Sequence, residues 1–120
     1  MLRVVSSNTS GGSSADRAAP DQVTFDRKEL SALLTVYGRF VAAGEWRDYG
    51  MPFAKDHAVF AVFRRAAENP MYRIEKRPKN ARAQGQYSVA AMDGRVLKRG
   101  ADLRQVLRVL DKKLIRAVED

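Results

Sequence analysis

The apolar residues of the chain change their period twice, and the two changes divide it into a helix, a block of strands and a second helix. From Phe25 the spacing is helical: Leu30, Leu33, Leu34, Tyr37, Phe40 and Val41 form one stripe, while Arg27, Lys28, Thr35 and Arg39 fall on other faces. Asp26 and Glu29 stand in the capping-box pattern that starts a helix, with Phe25 and Leu30 at the two positions of a hydrophobic staple. Gly44 is the natural left-handed stop. Gly38, inside the stripe, weakens the helix by about 1 kcal/mol relative to Ala and points to a close approach of another backbone.

Between Trp46 and Lys76 the period is two. Tyr49, Met51 and Phe53 alternate with polar or small residues, Ala58 to Phe63 is apolar on both faces, and Tyr72, Ile74 and Lys76 alternate against Arg73 and Glu75. Lys55-Asp56 and Ala66 to Pro70 connect these strands, and links so short allow hairpins while excluding parallel crossovers. Residues 77–85, RPKNARAQG, form a polar connection with room for a helical turn at Asn80 to Ala83. Gln86 to Met92 and Arg95 to Arg99 then flank Asp93-Gly94, which suits a two-residue type I′ hairpin. Gly100 breaks the strand, Asp102 is placed to cap, and Leu103, Val106, Leu107, Leu110, Leu114 and Val118 repeat at helical spacing.

These elements predict an α+β fold in two layers: an antiparallel sheet of about five strands, flanked by an N-terminal and a C-terminal amphipathic helix. The domain spans residues 24–120. Residues 1–23 are expected to form a disordered tail, because Ser6 to Gln22 is rich in Ser, Gly and Ala without apolar periodicity. No repeat of solenoid length is visible.

The segments FDRKELSALLTVYGRFVAAGEWRDY, AVFAVFRRAAENPMYRIEKRPKNARAQGQYSV and GRVLKRGADLRQVLRVLDKKL resemble a small, uncharacterised alphaproteobacterial family, domain of unknown function 2794. The resemblance covers about Phe25 to Leu114. It implies a single-domain cytoplasmic bacterial protein and brings no catalytic or binding residues with it.

Composition adds limits. The 120 residues, 45% apolar and 30% charged, suffice for one domain with its own core. With no cysteine, disulfides, thiolate metal sites and cysteine nucleophiles are excluded. His57, the sole histidine, lacks a HxxxH or HExxH partner, which removes the usual zinc sites, and its place at the start of the most apolar strand suits a hydrogen-bonded structural role. Neither GxxxxGK[ST] nor GxGxxG occurs. Glu45, Asp48 and Asp56 could supply paired carboxylates, but with Arg47 and Lys55 adjacent they read as solvated ion pairs. The longest apolar run is far below the roughly 20 residues of a membrane helix. The chain is therefore expected to be a cytoplasmic non-enzyme, with no cofactor and no membrane contact.

Charge carries the positive signal. The net charge is +8, and most of the excess lies in residues 64–100: Arg64 and Arg65 end the central strand, Arg73, Lys76 and Arg77 line the next, Lys79 and Arg82 occupy the connection, and Arg95, Lys98 and Arg99 belong to the hairpin. Tyr72 and Tyr87 are interleaved with them, as stacking on single-stranded nucleic acid requires, although each shares strand parity with a core residue, Ile74 and Val89. No RNP1 motif, KH loop or zinc knuckle is present. Arg104, Arg108, Lys112 and Arg116 form a ridge on the last helix that reads as a solvated face, and Trp46 reads as a lid on the core. The expected function is an adaptor or regulatory domain that contacts RNA, a ribonucleoprotein or DNA through the 64–100 surface. The alternative is a protein-interaction module that binds an acidic partner or self-associates through a sheet edge.

Overall fold

A computed structural model of the chain describes residues 22–65 and 69–119, with side chains as far as Arg116. Nearly all of the tail expected over residues 1–23, the first three residues of the Ala66 to Pro70 connection and the Val118 side chain lie outside the described residues. The elements run α1 (Arg27–Ala42), β1 (Asp48–Gly50), β2 (Ala58–Phe63), β3 (Tyr72–Lys76), β4 (Tyr87–Ala91), β5 (Val96–Gly100) and α2 (Leu103–Glu119). All strand pairs are antiparallel and the sheet order is β1-β2-β3-β4-β5, a meander flanked by two helices.

Helix α1 begins where its sequence says it should. The Asp26 carboxylate accepts the Glu29 N–H and the Glu29 carboxylate accepts the Asp26 N–H, both at 2.8 Å, which satisfies two donors that a helix start leaves open. The other end is closed by Gly44 at φ +78°: the Gly44 N–H reaches the Val41 carbonyl and the Glu45 N–H the Phe40 carbonyl, the paired bonds of a Schellman motif. The stripe that faces the core is rotated from the expected one. Ala32, Leu33, Val36 and Phe40 are buried with Glu29, Leu30 is half-buried, and Leu34 and Val41 are exposed. Stripes one residue apart share Leu33 and Phe40. The choice between them follows Glu29, whose polar partners lie on the sheet, and the small Ala32, which lets α1 lie close to α2. Gly38 is exposed with open space where a Cβ would stand, so no backbone approaches it.

Strand β1 is only three residues long, because Pro52 has no N–H for a ladder; its carbonyl accepts from Val59, and an isolated bridge joins Phe53 to Ala58. All six residues of β2 are buried, but into two clusters. Phe60 and Val62 join Ile74, Tyr87 and Val89 beneath both helices, together with Leu103, Val106, Leu107 and Leu110 of α2. Val59, Ala61 and Phe63 form a separate cluster on the sheet's outer face. Trp46 is 2% exposed and stacks on Phe40 with ring centres 3.9 Å apart, which makes it a core residue.

The β4–β5 hairpin differs from the expected two-residue type I′ turn, which needs positive φ at both central positions. Gly94 has φ +88° but Asp93 does not share the left-handed region. Ala91 bonds to Arg95 across a three-residue loop, the Gly94 N–H closes a turn on the Ala91 carbonyl, and the Asp93 carboxylate accepts the Arg95 N–H. The register then shifts between Val89 and Ala90, a bulge that turns Leu97 toward the core. The helical turn in the 77–85 connection starts earlier than expected, as a 3-10 turn over Pro78–Asn80. Gly100 ends β5 as its last residue, and the Asp102 carboxylate caps α2 by accepting the Arg104 N–H at 2.9 Å.

Candidate nucleic-acid interface

Strand alternation sorts the candidate residues into two sets. On β3, Tyr72, Ile74 and Lys76 face the helices, whereas Arg73 and Glu75 point to the outer face. The register continues across the sheet: Glu75 pairs with Ser88 and Ser88 with Arg99, while Arg73 pairs with Ala90 and Ala90 with Val96. The outer face of β3–β5 therefore carries Arg73, Glu75, Ser88 and Arg99 side by side. It is walled at one end by the 77–86 connection, folded back so that Gly85, at φ +91°, lies against Gly100.

The result is a concave pocket of about 290 Å³, lined among others by Arg73, Glu75, Arg77, Asn80, Gln84, Gln86, Ser88 and Arg99. Glu75 organises its cationic side. Its carboxylate accepts from Arg73 Nη2 at 2.6 Å and from Arg77 Nε at 3.2 Å. Burial is the largest single influence on its carboxyl and acts upward, but the hydrogen bonds and charges of the two arginines together prevail and hold its pKa below the ordinary value. Arg77 also meets Asp56 at 3.5 Å, and Asp56 in turn holds the His57 ring at 2.7 Å; that bond is the main reason its carboxyl titrates low. Arg99 has no ion-pair partner among the described residues.

Lys79 and Arg82 are exposed on the connection that walls the pocket, and Arg95 is exposed between two lining residues, Gly94 and Val96. Lys98 is exposed opposite Val89 on the edge strand. Arg64 and Arg65 are exposed beyond the opposite end of β2, where Arg64 lies 3.4 Å from Glu45. These residues share a side of the molecule less completely than their clustering in sequence implies.

Three candidates leave the surface. Tyr87 is buried and its hydroxyl donates to Glu29; burial above all, and then that bond, raise its pKa. Lys76 Nζ reaches Glu29 at 2.7 Å and the Thr24 carbonyl at 2.9 Å. Tyr72 is half-buried, 6.1 Å from the Trp46 ring. The shared parity of these residues with Ile74 and Val89 is the signal that places them inside. Conversely, Ser88, Glu75 and the amides of Asn80, Gln84 and Gln86 belong to the pocket without having stood out as chemistry. Only their parity with Arg73, or their place in the connection, marks them.

No helix among the described residues is long and apolar enough to cross a membrane. A family model described as Protein of unknown function (DUF2794) matches residues 23–107, most of the chain. The chain belongs to that family. The match takes in α1, the whole sheet with its outer pocket, and the start of α2, so the pocket lies within the family's domain. Neither a curated protein nor a solved structure matches the chain.

Proposed function

We propose that the protein is a non-enzymatic cytoplasmic adaptor or regulatory domain that contacts nucleic acid, RNA or a ribonucleoprotein in the first place, through the outer face of its sheet. The observation that carries this reading is the convergence of Arg73, Arg77 and Arg99 on one polar concavity, with Lys79 and Arg82 exposed on the connection that walls it. Confining most of a net +8 to residues 64–100 creates a local potential that attracts polyanions and speeds their encounter. With Tyr87 inside the core and Tyr72 against Trp46, base stacking has little to work with. The contact is therefore to phosphate and sugar, which favours shape and charge over base sequence.

Reversing Arg77, Lys79 and Arg82 together tests the reading. Wild type should bind a short RNA with an affinity that falls linearly in log–log salt plots, by about 0.7 to 0.9 per neutralised phosphate, and the triple reversal should abolish binding while the fold persists. Equal binding by the two proteins, or none by wild type at low salt, would transfer the basic face to an acidic protein partner.

A further inference from the structure

We infer that the outer-face pocket is a seat for a phosphate monoester, whether the terminal phosphate of a nucleic acid or that of a free nucleotide. The inference rests on the nucleic-acid reading above and narrows it to one chemical group.

Charge supplies the first argument. Three guanidinium groups, Arg73, Arg77 and Arg99, share the pocket with one carboxylate, Glu75. The lining is therefore doubly positive, which matches a monoester of about −1.5 to −2 at neutral pH better than the single charge of a backbone diester. Asp56 pairs directly with Arg77 from outside the pocket, at 3.5 Å, but both side chains are exposed, so solvent and salt screen its effect on this balance.

Geometry supplies the second. Glu75 engages Arg73 by one terminal nitrogen and Arg77 by Nε, so each fork keeps N–H groups for a further oxyanion, already oriented by the carboxylate. Ser88 lies between Glu75 and Arg99 in the cross-strand row. With strands about 4.8 Å apart, Ser88 stands one strand from Glu75, which holds Arg73 and Arg77, and one strand from Arg99, within the reach of long side chains from both sides. A phosphoryl group over Ser88 would meet guanidinium on two flanks and a hydroxyl beneath it. A flat basic face would neutralise charge without such a centre, and about 290 Å³ accommodates the group with its sugar.

The test uses the full chain and a short unstructured RNA prepared with a 5′-phosphate or a 5′-hydroxyl, with adenosine 5′-monophosphate as a free competitor. Wild type should prefer the phosphorylated RNA by about tenfold, the increment of one well-placed charged contact, and the nucleotide should compete that increment away. The double variant Ser88→Ala, Arg99→Gln should reduce the preference to below about twofold, and Arg99→Lys should restore part of it. Circular dichroism verifies that both variants are folded. Equal affinity of wild type for the two RNAs overturns the seat yet leaves the nucleic-acid reading in place, and so does a preference that survives the double variant. Binding of the nucleotide without measurable binding of either RNA supports the seat and overturns that reading.

Discussion

A Cβ placed on Gly85 would lie 2.2 Å from the carbonyl carbon of Gly100. No side chain fits there, and at φ +91° the Gly85 backbone also occupies a region that other residues enter only with strain. This contact presses the 77–86 connection against the last residue of β5 and so fixes one wall of the pocket. Gly85→Ala should therefore cost about 2 to 4 kcal/mol in chemical denaturation, from steric overlap and conformational strain together. A loss below about 0.5 kcal/mol would mean that the connection can move away freely.

Gly38→Ala should do the opposite. The position is helical and exposed, and the space for a Cβ is empty, so the substitution should add about 0.5 to 1 kcal/mol through helix propensity alone. A rise in thermal midpoint checks it, and a fall would reveal a neighbour to which α1 packs at Gly38.

Glu29 closes the α1 cap while holding Lys76 and Tyr87 on the sheet. Glu29→Ala should cost about 3 kcal/mol or more, because it leaves the Lys76 ammonium largely buried without its counter-charge; Tyr87→Phe should cost about 1 kcal/mol. The Tyr87 pKa is raised by burial and by Glu29. A raised tyrosine contributes stability that is present below its unfolded value of about 10 and is lost as pH climbs above it. In a thermal series from pH 8 to 11, wild type should lose more stability above pH 10 than Tyr87→Phe, and parallel curves would refute the linkage.

The sign is reversed for Glu75. Its lowered pKa means that the contribution is present above the ordinary carboxylate range and vanishes as acidification protonates the folded form. Glu75→Gln should flatten the acid limb of the stability curve between about pH 5 and 3, since the amide cannot titrate. An unchanged acid limb would show that the arginines bind solvent as readily as they bind Glu75.

Reversing Arg104 and Arg108 should leave RNA affinity within about threefold of wild type at moderate salt, because that ridge lies outside the pocket and acidic residues are interspersed along α2. A loss comparable to that of the Arg77, Lys79 and Arg82 reversal would move the interface onto the helix.

Much of this structure is written in short patterns. The capping box at Asp26, the Gly44 stop, the Asp102 cap and the two-sided burial of β2 all depend on a few adjacent residues, and each is found where its pattern stands. The rotation of α1 was not legible, because Leu30 and Leu34 compete with Ala32 and Val36 on apolarity alone and the decision comes from Glu29 meeting residues some fifty positions away. Gly38 and Gly85 show the same limit: the pattern points to a close backbone approach at Gly38, whereas the approach is at Gly85, where the connection returns onto Gly100. At the candidate site, counting charge located the segment. Parity across three strands was needed to separate Arg73 and Arg99, which share a concavity, from Lys76, which anchors a helix.

The edges of the sheet bear on how the protein behaves when crowded. β1 offers a visitor only three residues, and β5 offers a bulged ladder bearing Lys98 and Arg99. Two copies meeting antiparallel along β5 would set these cations against their own counterparts, while the bulge interrupts the hydrogen-bond template that strand addition needs. If copies gather along one polyanion as proposed, this edge would work against their pairing, and Arg99 would then serve their separation as well as the pocket.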